Sequence, residues 1–207
     1  NRLREFLIAA SRQSRSEMRS SMKIGILAVQ GAFAEHEQML EQLGAEYIEL
    51  RKGEDVRQSY DGLILPGGES TVQGKLMREL DMFDTIQSQI KNGMPVLATC
   101  AGAILLAQQL SNDAATHLAT LPAVVRRNAY GRQLGSFSVD EQIEGIGTFP
   151  MRFIRAPYIE KVLDDTKVLA KVDGNIVMVE NKNQLAMSFH PELTSDTRIH
   201  EMFLKKI

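Results

Sequence analysis

Pro95-Val96-Leu97-Ala98-Thr99-Cys100-Ala101-Gly102-Ala103-Ile104-Leu105-Leu106-Ala107 is almost wholly apolar, yet it divides at its middle. Val96 to Thr99 has the length of a buried strand, and Ala101 to Ala107 has the composition of a buried helix. A strand that turns directly into a helix is the unit from which parallel sheets are built. Cys100, the only cysteine in the chain, stands at the corner. A thiol held there leaves the sheet and faces the unpaired N–H groups of the first helical turn, which favour a thiolate. A lone cysteine is equally at home as a small core hydrophobe, so the rest of the chain must decide between chemistry and packing.

The same unit repeats toward the N-terminus. Lys23 to Gln30 is a short, nearly continuous apolar run of the kind buried on both faces of a parallel sheet, and Gly31 breaks it. Ala32 to Leu43 then places Phe33, Met39, Leu40 and Leu43 among Glu35, Glu37 and Glu41, as an amphipathic helix does, ending before Gly44. Strands are expected at Glu46 to Leu50 and Gly62 to Leu65, a Pro66-Gly67-Gly68 turn after the latter, and helices at about Val72 to Leu80 and Met82 to Asn92. Alternation of this kind predicts an α/β fold, a doubly wound and mostly parallel sheet with helices on both faces. Sites in such sheets lie beyond the carboxyl ends of the strands, where both Gly67-Gly68 and Cys100 fall.

From Leu121 onward the texture changes to short β-like pieces at Val124-Val125, Ser136 to Val139, Met151 to Ile154, Val168 to Val172, Ile176 to Glu180 and Leu185 to Ser188. Turn signals such as Asp173-Gly174-Asn175 separate them, and a helix from Asp196 to about Lys206 follows. No Gly/Ser-rich linker divides the two halves, so 22–207 is expected to be one domain. Asn1 to Ser21 differs, with five arginines, five serines and no lysine. It lacks a long apolar core of the secretory kind, and we read it as a tag, an upstream extension or a terminal arm outside the fold.

Composition narrows the function. A hydrophobic content of 43% with 24% charged residues describes a globular chain able to bury a core. A net charge of −2, without a basic run interleaved with aromatics, argues against nucleic acid as a partner. No apolar stretch is long enough for a membrane span. One cysteine forms no internal disulfide, which makes a reducing cytoplasm the expected location.

Ser188-Phe189-His190-Pro191-Glu192 directly follows a buried strand pattern. If that strand joins the same sheet, His190 and Glu192 emerge at the edge where Cys100 lies. Pro191 restricts its own φ and disfavours helix at His190, which keeps the pair extended. Nucleophile, base and orienting carboxylate can then converge as Cys100, His190 and Glu192. His36, His117 and His200 are read as ordinary core or surface histidines. No zinc-like ligand spacing occurs, and no metal or cofactor is expected. Gly67-Gly68 can expose backbone N–H groups to an oxyanion, although a Gly-Gly pair is more often a simple turn. The Walker pattern is absent.

Six segments together resemble a known family: 27–33, Leu65-Pro66-Gly67-Gly68-Glu69-Ser70-Thr71, Thr99-Cys100-Ala101-Gly102, 127–133, Phe153-Ile154-Arg155-Ala156-Pro157 and Phe189-His190-Pro191-Glu192-Leu193. Their order is that of the glutaminase subunits of pyridoxal 5′-phosphate synthase, a branch of the triad glutamine amidotransferases, over about Met22 to Ile207. Gly67-Gly68-Glu69-Ser70, Arg127-Asn128 with Gly131-Arg132-Gln133, and Phe153-Ile154-Arg155 with Pro157 separate this branch from other triad amidotransferases.

The resemblance implies a flavodoxin-like, class I amidotransferase fold. It implies hydrolysis of L-glutamine to glutamate and ammonia, and delivery of the ammonia to a synthase subunit that assembles pyridoxal 5′-phosphate from a pentose phosphate and a triose phosphate. By position it makes Cys100 the nucleophile, His190 the base and Glu192 its orienter. Gly67, Gly68 and Ala101 would supply the oxyanion hole, and Gly68, Glu69, Ser70, Arg127, Ile154 and Arg155 the substrate contacts. Glutamine suits such a set, because a carboxylate can meet its α-ammonium and a guanidinium its α-carboxylate.

Ala98 departs from the family, which usually has glycine two residues before the nucleophile, and a methyl group there is expected to have a modest effect. Two alternatives stand beside the enzyme: a non-catalytic interaction subunit with a structural cysteine, and a cysteine hydrolase of the related peptidase-like branch. Members of that branch tend to carry histidine after the nucleophile, where this chain has Ala101.

Overall fold

The structure, a computed structural model, describes residues 2–113, 115–127 and 136–207. Its strands are β1 (Lys23–Leu27), β2 (Glu46–Leu50), β3 (Gly62–Leu65), β4 (Val96–Thr99), β5 (Ala107–Leu110), β6 (Leu121–Arg126), β7 (Ser136–Ile143), β8 (Gly147–Ile154), β9 (Tyr158–Val162), β10 (Lys167–Val172), β11 (Asn175–Asn181) and β12 (Gln184–Met187). The helices are α1 (Arg2–Ser21), α2 (Phe33–Gln42), α3 (Gly53–Val56), α4 (Ser70–Glu79), α5 (Phe83–Lys91), α6 (Ala101–Leu106) and α7 (Arg198–Leu204), and Pro191–Leu193 forms a 3-10 turn.

Ten strands form one sheet in the order β2-β1-β3-β4-β12-β11-β9-β6-β5, with β10 paired to β11. The first five neighbours are parallel. Their succession is the doubly wound order in which sites form at the carboxyl edge. From β12 onward most pairings are antiparallel, which accounts for the change of texture after Leu121. Hairpin β7-β8 stands apart as a second sheet.

Alternation along each parallel strand sends side chains to opposite faces. Leu63, Leu65, Val96, Ala98 and Ala186 join Met77, Ile86 and Leu105 from α4, α5 and α6 in one apolar cluster. Ile24, Ile26, Ile64, Leu97, Leu185 and Met187 join Leu40 of α2, Phe203 of α7 and Phe149 and Phe153 of β8 in the other. Each fully buried Leu or Ile side chain contributes about 1.5–3 kcal/mol, so this two-faced burial is what holds the thin central strands.

Several boundaries differ from the sequence expectation for local reasons. Helix α7 begins at Arg198 and not at Asp196, because the Asp196 carboxylate accepts the Arg198 N–H at 3.1 Å as a turn would. The run after Cys100 is helical only to Leu106, since Ala107 to Leu110 pair with β6 as a strand that the sequence pattern did not announce. Strand β1 ends at Leu27, and Gln30 turns back toward the next loop. Helix α1 has no buried residue; near its end Arg19 meets Glu201 at 3.2 Å.

Close packing of α6 on β3 depends on Gly102, where an added Cβ would lie 2.1 Å from the Leu65 carbonyl oxygen. The neighbouring Ala98 is fully buried between Leu65 and Ala186 in register, and its methyl lies in the same cluster as theirs. Gly102→Ala is therefore expected to lower stability by roughly 2 kcal/mol through overpacking against backbone that cannot retreat. A urea midpoint equal to that of the parent would contradict this account of the corner.

Candidate active site

Parallel pairing sets the register in which Met187 stands opposite Thr99. The Cys100 N–H continues the ladder by donating to the Met187 carbonyl at 2.8 Å, and there the two chains part. Cys100 turns with φ 51 and ψ −106, in the left-handed region where a side chain is strained, and its carbonyl accepts the Ala103 N–H at 3.0 Å. Such a turn costs of order 1–3 kcal/mol and persists only because the flanking strand and helix over-determine it. It lifts the thiol off the sheet, toward the Ile154 carbonyl at 3.8 Å.

The other chain runs Ser188-Phe189-His190. Phe189 is fully buried, with its ring 6.1 Å from that of Phe149 and 5.7 Å from that of Phe153, edge to face with the latter. The His190 N–H donates to the Arg152 carbonyl at 2.8 Å. Hairpin strand β8 thus fixes the backbone of the histidine, and the 3-10 turn after it brings Glu192 back under the ring. His190 Nδ1 and Glu192 Oε1 are 2.5 Å apart, and the ring lines the same pocket as Cys100.

Burial opposes a charged His190 ring, but hydrogen bonds to Cys100 and Glu192, with the charges of both, outweigh it and push its pKa up to about 10. For Glu192, burial pushes the carboxyl up, and the His190 hydrogen bond and charge pull it back. The pair is consistent with a carboxylate that steadies an imidazolium.

A pocket of about 480 Å³ opens above this trio. Gly67, Gly68, Glu69, Ser70, Cys100, Ala101, Arg127, Ile154, Arg155 and His190 all line it, and Glu192 lies behind His190. These include every site residue named from the sequence apart from Glu192, which the histidine screens. In the segment 127–133, positions 128–133 lie outside the described residues. Arg127 is oriented before any ligand arrives, with Nη1 3.0 Å from Asp113 and Nη2 3.0 Å from Thr71. Glu69 on one wall faces a rim that also carries Arg127 and Arg155, so the pocket offers both signs of charge.

The Gly67-Gly68 turn is held from beneath by residues the sequence reading gave no role. Gln30 accepts the Glu69 N–H at 2.8 Å, Gln73 donates to the Gln30 and Pro66 carbonyls at 3.1 and 3.2 Å, and the Ala32 N–H donates to the Gly67 carbonyl at 2.9 Å. No side chain fits at Gly67, since a Cβ would lie 2.2 Å from His190 Cε1. At Gly68, φ is +154 and a Cβ would meet Gln30 Oε1 at 2.4 Å. A buried glutamine in a helix reads as an ordinary polar residue until its carbonyl partners are known; the Gly-Gly turn was the only signal of this support.

His36 and His200, read from the sequence as ordinary histidines, are both fully buried and 2.9 Å apart. His36 stands directly behind Glu192, with His200 on its far side. His117 lies against Gly74, away from the trio. Among the described residues no cluster of histidine, cysteine and carboxylates suits a metal ion.

Comparison with known proteins agrees in one direction. Residues 26–207 match the model of the SNO glutamine amidotransferase family. A Desulfitobacterium hafniense protein named pyridoxal 5′-phosphate synthase subunit PdxT is 63% identical over 186 residues, covering 90% of this chain and 94% of that one. A Streptococcus pneumoniae protein of the same name is 52% identical, covering 89% and 96%. A crystal structure of a glutamine amidotransferase superposes with a TM-score of 0.84 at 43% identity, over 88% of this chain and 97% of that one. The PurLQS structure from Thermotoga maritima, at 18% identity and a TM-score of 0.61, shares the fold.

The raised pKa of His190 carries a stability signature. Its folded value lies above the ordinary 6.5, so its contribution is whole below pH 6.5 and is lost as pH rises through about 10. NMR titration of the His190 ring should show an alkaline midpoint, and Glu192→Gln should move it toward neutrality by removing a group that raises it. A midpoint near 6.5 in the parent protein would contradict this electrostatic account.

Proposed function

We propose, since the chain belongs to the SNO glutamine amidotransferase family, that it hydrolyses L-glutamine to L-glutamate and ammonia and passes the ammonia to a synthase subunit that makes pyridoxal 5′-phosphate. The observation that carries this reading is the meeting of Cys100, His190 and Glu192 at the floor of a pocket bordered by Glu69, Arg127 and Arg155. The unit that acts is 22–207. A free thiol nucleophile suits a reducing compartment, the cytoplasm.

In the mechanism, the His190 ring, kept protonated by its raised pKa, already holds the thiol proton on the nitrogen that faces Cys100, while Nδ1–H remains on Glu192. The thiolate sulfur attacks the side-chain amide carbon of glutamine, and the carbonyl electron pair moves onto oxygen. Backbone N–H groups of Ala101 and the Gly67-Gly68 turn stabilise that oxyanion. Collapse of the intermediate expels the amide nitrogen, which takes the proton back from His190 and leaves as ammonia. A γ-glutamyl thioester remains on Cys100. Water, deprotonated by His190, attacks the thioester, and glutamate departs as the thiol is restored.

Substrate recognition follows from charge. Glutamine is a zwitterion beyond its side chain, so Glu69 meets the α-ammonium and the guanidinium groups of Arg127 and Arg155 the α-carboxylate. Arg127 is fixed by Asp113 and Thr71, which reduces the side-chain entropy lost on binding. The relatives are named as subunits of pyridoxal 5′-phosphate synthase, which supports a further synthase subunit as a physical partner.

Ammonia release from glutamine, measured with and without the synthase subunit, tests the reading. The complex should release ammonia, and Cys100→Ala should reduce the rate roughly 10³-fold or more, because the covalent route is lost altogether. Unchanged release in that variant would refute the assignment.

A further inference from the structure

Glu192 uses one carboxylate oxygen for His190. Its other oxygen, Oε2, is buried and accepts no hydrogen bond among the described residues. A charged acceptor left so is costly, and the group that faces it is His36 Nε2, 3.5 Å away on α2. The same nitrogen lies 3.3 Å from the hydroxyl of Thr99, the residue before the nucleophile. On its far side, His36 Nδ1 is 2.9 Å from Nε2 of His200 on α7. We propose that His36 and His200 form a positioning relay behind the active site, in which His200 fixes the tautomer of His36 and His36 directs an N–H at the free oxygen of Glu192.

The tautomers decide the direction. Both rings are fully buried. Burial, aided by the proximity of His200 and His190, holds His36 well below 6.5, and burial holds His200 at about 4. Each ring is therefore neutral at pH 7 and carries one N–H. In one arrangement His200 Nε2–H donates to His36 Nδ1, and His36 Nε2–H points between Thr99 Oγ1 and Glu192 Oε2. The only unmet atom is then the bare Nδ1 of His200, which has no partner among the described residues. In the reverse arrangement that position holds a buried, unmet N–H, and a bare nitrogen of His36 faces the carboxylate lone pairs. The first arrangement leaves fewer unmet donors and no repulsion, and it aligns donors from His200 through His36 to Glu192.

The other charged groups that act on Glu192 are His190, which lowers its pKa, and Glu35 on α2, which raises it. An N–H from His36 thus joins the Glu192 backbone N–H as a neutral donor that offsets burial and Glu35. Neither histidine lines the pocket. The relay acts through Glu192 and makes no contact with substrate.

The kinetic part of the test rests on the glutaminase reading, and a second readout does not. In the full chain with its synthase subunit, His36→Leu should lower kcat for glutamine roughly 10- to 100-fold with KM within about twofold, as for loss of an interaction that matters only during chemistry. His36→Gln, whose amide nitrogen reaches as far as Nε2, should restore kcat to within about fivefold of the parent. His200→Leu should act in the direction of His36→Leu but less strongly. Independently, the pH profile of Cys100 alkylation by iodoacetamide should move to higher pH in His36→Leu and not in His36→Gln. A folded His36→Leu with parental kcat and alkylation profile overturns the relay, as does a His36→Gln damaged as severely as the leucine variant. If His36→Leu does not fold, His36→Phe decides in its place. Alkylation that responds to His36 in a protein releasing no ammonia keeps the relay and rejects the glutaminase; ammonia release that needs Cys100 and ignores His36 does the reverse.

Discussion

Hydrogen bonding between β4 and β12, from Gln184 opposite Val96 to Met187 opposite Thr99, brings two distant parts of the chain to one edge of the sheet. Everything chemical follows from what each strand does next. One bends sharply at Cys100, whose N–H still completes the ladder, and the other continues through buried Phe189 to His190. A shift of one residue in this pairing would reverse the faces of Leu185, Ala186 and Met187, placing two large side chains in the wrong cluster. Core packing therefore enforces the register that the thiol and imidazole need. The strain of the Cys100 turn is small beside that burial.

The same economy of space appears in the glycines. Gly67 abuts the His190 ring, Gly102 abuts the Leu65 carbonyl, and neither position admits a side chain. Their role is close approach: one lets the Gly67-Gly68 turn touch the His190 ring, the other lets the helix after Cys100 sit directly on the sheet. Hairpin β7-β8 adds a lid of backbone and aromatic side chains, with Phe137 stacked on Phe153 at 4.6 Å and Phe153 against Phe189. Arg152 and Ile154 of that hairpin present carbonyls to His190 and Cys100, so its strand faces both reacting groups.

The parallel half was legible because each of its strands is short, apolar and closed by a turn signal, and because Cys100, Gly67-Gly68 and His190 all follow such strands. The second half was less so. Strand β9, from Tyr158 to Val162, has the burial of an edge-like strand in which only Ile159 is fully enclosed, and its pattern lacks the alternation that would have announced it. Ala107 to Leu110 continues an apolar helix without punctuation, and only pairing with β6 makes it a strand. His36 sits among Glu35, Glu37 and Gln38, where nothing in the sequence distinguishes a buried histidine from an exposed one. Its neighbours Glu192, Thr99 and His200 come from three other elements. Such contacts belong to tertiary structure, and no local spacing encodes them.

At the centre of the account is a covalent step at one sulfur, supported by an imidazole that a buried carboxylate holds in place. Rapid acid quenching of the complex during glutamine turnover, followed by mass spectrometry of the peptide that contains Cys100, observes that step directly. A glutamyl group attached to Cys100 by a thioester, absent when glutamine is withheld, is the predicted result. Ammonia released steadily with Cys100 never modified, and its thiol still free after quenching at every time point, would contradict the mechanism.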